Sequence, residues 1–171
     1  QLEMFKTLAT YTAVALNNAE AYEKLNVAML EVEKLSIVAN NAENTVVICN
    51  PDGELIWANN AFTRTFGYTL EEFKKERGKT IFEVSDNPNI KQVLIECIEK
   101  RTGVSYESQN RMRNNEERWF QSSLSPVFKE NNELRNIIII DSDITERKIA
   151  ELELAHKNKE ITASITYAKR I

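Results

Sequence analysis

The feature that most constrains this chain is a turn set between two apolar runs. Thr45–Cys49 reads Thr-Val-Val-Ile-Cys, Leu55–Ala58 reads Leu-Ile-Trp-Ala, and Asn50-Pro51-Asp52-Gly53 stands between them. Proline presets φ, aspartate bonds its own backbone and glycine accepts a left-handed conformation, so the runs are expected to pair as an antiparallel hairpin. Asn59 or Asn60 can then cap a short helix carrying Ala61, Phe62 and Phe66, and Gly67 can stop it. A hairpin and one short helix cannot bury their own faces. More sheet has to come from elsewhere in the chain.

It comes after a helical interval. Thr69 caps a second short helix with Glu71 and Glu72 in its first turn and Leu70 and Phe73 as its apolar residues. Glu76–Thr80 reads as loop, and Ile81, Phe82 and Val84 as an apolar patch. Ile90, Val93, Leu94, Cys97 and Ile98 recur at three and four, which predicts a helix that Pro88 introduces and Gly103 stops. Beyond Gly103 the period drops to two. Val104–Arg113 is polar and partly alternating, Asn114-Asn115 marks a turn, and Glu117–Phe128 is a long strand in which Pro126 indicates a bulge or an edge. Trp119 and Phe120 compete for the inward position of that strand. Leu134–Ile140, with isoleucine at every position from Ile137 to Ile140, is expected to be buried or central. Two strands, several short helices and three further strands make an α+β domain over residues 44–143.

The flanks are helical. Residues 1–43 contain neither glycine nor proline. Leu2, Phe5, Ala9, Thr12, Leu16 and Ala19 form one series at helical spacing; Leu25, Ala28, Val32, Leu35, Ala39 and Ala42 form another in a different register. The phase change between residues 17 and 23 predicts either two helices or one helix with an insertion. So long a pattern without caps suggests a coiled coil or connector, with packing on the chain's own sheet as the alternative. After the last strand, Asp143 can cap a helix from Ile144 onward, and Ile149, Leu152 and Ala155 share a side. An isolated helix with so modest a stripe is marginal in water, so a partner chain is expected. In a parallel homodimer Val32, Leu35, Ala39, Ile149 and Leu152 would lie near the symmetry axis. Helical pattern at both ends suggests a piece of a longer protein.

Composition removes several functions. The net charge is −4, and the basic residues, such as Lys74-Lys75, Arg111, Arg113 and Arg118, are scattered. A nucleic-acid or anionic-membrane surface is therefore not expected. Two cysteines, Cys49 and Cys97, make neither a disulfide framework nor a metal cluster, which fits a reducing, cytoplasmic setting. No apolar run is long enough to span a bilayer, although a longer parent could be anchored elsewhere. His156 is the only histidine, Glu71-Glu72 and Glu116-Glu117 read as a helix first turn and a turn exit, and four glycines supply no phosphate loop. No catalytic or metal-binding residue is expected.

Several motifs together resemble a PAS domain: Val46–Ile48, Asn50-Pro51-Asp52-Gly53, Ala58-Asn59-Asn60-Ala61-Phe62, Phe66-Gly67-Tyr68 before Glu71-Glu72, Arg118-Trp119, Ser125-Pro126-Val127, and Asp143-Ile144-Thr145-Glu146-Arg147-Lys148. The resemblance covers residues 34–150. It implies a PAS fold, a five-stranded antiparallel sheet with short helices on one face and long helices before and after, in a sensory role. It also implies that Asp143 and Thr145 sit at the sheet–helix junction that passes the signal on. Residues 2–24 resemble the last helix of a GAF domain, and Lys157–Ile171 resembles the lead-in to a SpoIIE-type PP2C-like serine phosphatase, with some histidine kinases comparable. The resemblances divide the chain into a GAF-like helix (1–24), a connector (25–43), a PAS domain (44–143) and an exit helix (144–171), relaying a signal between neighbouring domains. His156 lacks the Ser-His-Glu-x-x-x-Pro context of a phosphoacceptor in those kinases.

The same resemblance frames the cofactor question, because PAS domains can hold haem, flavin or small metabolites. Photoreactive flavin members carry a cysteine in a Gly-x-Asn-Cys-Arg-Phe-Leu-Gln run; Thr80–Val84 has none. Haem members take an axial histidine from the helix before the third strand; Asn89–Arg101 has none. No cofactor is expected. The alternative is a pocket for a small ligand walled by Ile48, Trp57, Phe66, Phe82, Val93, Trp119 and Ile139, residues that ordinary core packing would also place inside.

Overall fold

The structure, a computed structural model, describes residues 2–168 and, within them, every side chain except those of 2–15, 35, 163 and 166–168. In chain order the elements are α1 (Leu2–Asn41), β1 (Thr45–Cys49), β2 (Leu55–Ala58), α2 (Asn60–Phe66), α3 (Leu70–Glu76), α4 (Ile81–Val84), α5 (Ile90–Lys100), β3 (Val104–Arg111), β4 (Glu117–Phe128), β5 (Leu134–Asp143) and α6 (Thr145–Ala168). Two units result, residues Gln1–Asn41 and residues Ala42–Ile171. The first is α1, one continuous helix, so the phase change is accommodated without a break. Leu25, Val27, Leu30 and Val32 are all exposed, which distributes apolar surface around α1 rather than along one stripe.

In the second unit the strands are antiparallel in the order β2-β1-β5-β4-β3. The isoleucine-rich β5 is the central strand. Its burial alternates: Ile137 and Ile139 face the core, Ile138 is half-buried and Ile140 is exposed. The inner face carries the core, so period two wins over the continuous apolar run. On β4 the same alternation sends Phe120 inward to complete burial and leaves Trp119 half-buried on the other face. Pro126 lies beyond Leu124, the last β4 residue paired with β3, so it pairs only with β5 next to an irregularity at Val127/Phe128.

Helices α2 to α5 supply the residues that cover the inner face. Asn59 caps α2: its Oδ1 accepts the N–H groups of Phe62 at 3.2 Å and Val46 at 3.0 Å, which ties the helix start to β1. Gly67 closes α2 in the left-handed conformation, φ 78. Thr69 and Glu72 form a reciprocal capping box on α3. Phe62, Phe66 and Phe73 then pack as an aromatic group, and the Phe66 ring stacks on Phe120 of β4 at 5.4 Å between centroids.

Three local readings of the sequence need correction. The apolar patch around Ile81 is a helical turn, α4, because Glu83 accepts the backbone N–H groups of Lys79 and Thr80 at 2.7 and 2.9 Å. The stop of α5 is Arg101, not Gly103. Arg101 itself takes φ 52, its guanidinium lies 4.6 Å from the Phe128 ring centroid, and it donates to Asn132 at 2.8 Å. Strand β3 ends at Arg111, because Arg113 turns away to bond the Phe66 carbonyl at 3.2 Å.

Candidate functional site

Antiparallel register aligns four polar residues across the inner face of the sheet. Thr45 of β1 opposes Asp141 of β5, Asp141 opposes Ser122 of β4, and Ser122 opposes Tyr106 of β3. The adjoining row is apolar: Val47, Ile139, Leu124 and Val104. Thr45, Asp141 and Ser122 are all buried, where a polar group costs free energy unless bonded. The Thr45 hydroxyl donates to Asp141 Oδ2 at 3.2 Å, Ser122 bonds the same carboxyl, and the Tyr106 phenol is bonded to Ser122 and to Ser85. Burial pushes the Asp141 carboxyl above the usual carboxylate range against the opposing effect of the two hydroxyls, and burial likewise raises the Tyr106 phenol.

Over this row lies a cavity of about 70 Å³. Val47, Leu55, Phe62, Phe66, Phe73, Ile81, Val84 and Ile139 form its apolar wall; Ser85, Tyr106, Ser108, Asn110, Ser122 and Asp141 form its polar one. Arg77, Asp86 and Arg111 complete the lining. Of the wall residues named from sequence, Phe66 and Ile139 line this cavity. Ile48 and Trp57 do not: they pair with each other one residue out of step with the inward set. Trp119 is out of step with Phe120 in the same way, Phe82 is exposed on α4, and Val93 packs on the core from α5. The polar row was not anticipated. Its only signal was polar residues recurring at inward positions of four strands.

The second arrangement is the joint between sheet and α6, and it brings Asp143 and Thr145 together. The Thr145 N–H donates to Asp143 Oδ1 at 2.9 Å. The Trp119 N–H donates to Thr145 Oγ1 at 3.0 Å, and the Ile144 N–H donates to the Trp119 carbonyl at 2.8 Å. Arg118 pairs with Asp143 at 3.4 Å and with Glu116 at 2.9 Å. One turn into α6, Arg147 and Lys148 both pair with Glu107 of β3, and the Lys148 ammonium lies 5.6 Å from the Trp119 ring centroid. The hydrogen bond from Lys148 is the main reason the Glu107 carboxyl sits below its usual range. Glu107 was not singled out in the sequence, because its partners Arg147 and Lys148 lie on another element.

The PAS domain family matches residues 43–146, which is more than half of the chain. The chain belongs to the PAS domain family. Its stretch matching the oxygen sensor protein DosP of Escherichia coli is 26% identical over 125 residues, 72% of this chain and 16% of that protein. A blue-light-activated histidine kinase of Brucella anthropi is 28% identical over 105 residues, 60% of this chain and 21% of its own length. The chain thus spans less than a quarter of either curated relative. Among solved structures, an RNA-binding light-oxygen-voltage receptor superposes with a TM-score of 0.63 at 22% identity, covering 77% of this chain and 38% of that one. That likeness is one of fold.

The PAS assignment makes this a sensory, signalling-type module. Among the described residues no group of three or more His, Cys, Asp or Glu side chains could hold a metal ion, and no helix is long and apolar enough to cross a membrane. His156 is exposed and pairs with Glu160 at 3.3 Å. Of the residues named for a dimer axis, Val32, Ile149 and Leu152 are exposed, Ala39 is half-buried and the Leu35 side chain lies outside the described residues.

Proposed function

We propose that this chain is a sensory and dimerisation module that relays a signal through its flanking helices to a downstream output domain. The observation that carries the reading is the β4–α6 joint, where a strand lining the cavity fixes the first turn of the exit helix through Trp119 and Thr145. A helix anchored at one end by strand hydrogen bonds transmits a displacement of that strand along its length. Ile149 and Leu152 are exposed one turn apart on α6, a surface that a second copy would cover. The resemblance of Lys157–Ile171 to a phosphatase lead-in favours a serine phosphatase over a histidine kinase as output, and residues 2–24 favour a GAF-like domain upstream. Sedimentation velocity at micromolar concentration tests the dimer. The wild type is expected to be dimeric and Leu152→Glu to dissociate; a monomeric wild type, or a dimer indifferent to the substitution, contradicts the reading.

A second reading is favoured by the cavity: the domain is a small-molecule sensor in its own right. The two curated relatives are named for sensing oxygen and blue light. The cavity of this chain is lined by neither histidine nor cysteine, so it offers no axial imidazole for haem and no thiol for a flavin adduct. Its mixed wall suits a small metabolite instead.

A further inference from the structure

The polar row sits where an aliphatic row would pack the domain more simply. Moving a carboxylate out of water is expensive, and a buried carboxyl stays ionised only when something answers its charge. Nothing within the described cavity lining does so. The two arginines that reach the lining are engaged elsewhere, Arg77 with Asp86 at 4.0 Å and Arg111 with Glu117 at 3.1 Å. Two hydroxyls bond the Asp141 carboxyl, from Thr45 and Ser122, and a carboxylate has about four acceptor sites. Asp141 therefore faces the cavity with acceptor capacity to spare, ready to ionise against a cation.

We propose that the cavity binds a small primary ammonium compound, its ammonium group seated on the Asp141 carboxylate and flanked by Ser122 and Tyr106. This rests on the reading of the domain as a ligand sensor and names the ligand class. An ammonium group offers three donors in a compact head, which suits a carboxylate ringed by hydroxyl oxygens. The helix wall, with Phe62 and Phe66, and the adjoining Ile139 of the sheet take the short apolar body of such a ligand. Size sets the scale: a water needs about 10–15 Å³ of such space, so 70 Å³ admits a molecule of only a few heavy atoms. Charge decides the sign, because an anion entering the same space would face Asp141 at its inner end. The position explains how binding could be read out. Asp141 is two residues from Asp143 on β5, and its partner Thr45 opens β1.

The test is NMR titration of the whole 171-residue chain with three probes of similar size: ethanolamine as its hydrochloride, ethylene glycol and sodium glycolate. Ethanolamine is expected to give saturable shifts at Tyr106, Ser122 and Asp141, with the Asp141 carboxyl ¹³C signal moving to its ionised position. Loss of one charge-assisted contact in Asp141→Asn should weaken that binding roughly tenfold or more. The carboxyl signal belongs to the wild type, so it decides the matter even if the variant fails to fold. Ethylene glycol binding as well as ethanolamine, or unchanged ethanolamine binding in Asp141→Asn, overturns the role of the carboxylate. Binding of glycolate alone overturns the ammonium class and leaves the ligand-sensor reading standing. Silence from all three probes overturns the ammonium proposal, and native mass spectrometry for a retained molecule then judges the ligand-sensor reading separately.

Discussion

The hydroxyl oxygen of Thr145, at the start of α6, accepts the backbone N–H of Trp119 near the start of β4 at 3.0 Å. The N–H of the preceding residue, Ile144, returns a bond to the carbonyl of the same Trp119 at 2.8 Å. One strand residue thus holds both sides of the chain's passage from sheet to helix, and the Asp143 carboxylate closes the corner by accepting the Thr145 N–H.

Replacing Thr145 by valine keeps the shape and removes the acceptor. The Trp119 N–H would lose its partner in a half-buried position, at a cost of about 1–3 kcal/mol. Serine at the same position retains most of the stability. Urea denaturation of the two variants against the wild type measures both effects, and a loss in the serine variant with the valine variant unchanged would show that the methyl group, not the hydroxyl, matters.

Asp141 gives the domain a pH dependence of definite sign. Burial raises its carboxyl above the ordinary value of 3.8, so between that value and the folded one the native state holds a proton that the unfolded chain has released. Stability from this group is complete below the unfolded value and falls as pH rises through the folded one. Denaturation of wild type and Asp141→Asn across the acid-to-neutral range should show the wild type losing ground to the variant as pH increases. A difference independent of pH would contradict it.

The two cysteines should be inert in the native state. Both are fully buried, and desolvation pushes the Cys49 thiol up to about 12 while the Cys97 thiol is also raised. The thiolate is the reactive species, so alkylation by iodoacetamide at neutral pH should proceed only as fast as the domain opens. Mass spectrometry of the folded and urea-unfolded chain distinguishes this from rapid labelling of a native thiol.

How much of this was legible in the sequence depends on the range of each interaction. The hairpin around Asn50–Gly53, the caps at Asn59 and Thr69 and the stop at Gly67 are local, encoded within a few residues, and the structure places each where the sequence does. Arg101 was missed as the stop of α5 because its partners, Phe128 and Asn132, lie about thirty residues away. The cavity shows the same limit. Apolar character selected Trp57 and Trp119, but pleat parity decides which side chains face inward, and parity becomes definite only once register is known. Asp141 reads in the sequence as punctuation after four isoleucines. Only pairing with Thr45 and Ser122 makes it part of a buried row. The Asp143–Thr145 corner was found because it came with the family resemblance, whereas Glu107, which holds Arg147 and Lys148, carried no such mark.

The central claim is that the cavity and the exit helix are coupled through β4 and β5. Hydrogen exchange at the amides of residues 145–155, compared between wild type and Asp141→Asn, tests it most directly. Among the described residues the side-chain bonds of Asp141 go to Thr45 and Ser122, so none supplies a direct route to α6. Relay through the sheet predicts that the substitution changes protection in the first turns of α6 as well as around Ser122. Altered exchange around Ser122 with α6 unchanged would contradict the account, leaving the cavity and the helix as independent parts of one fold.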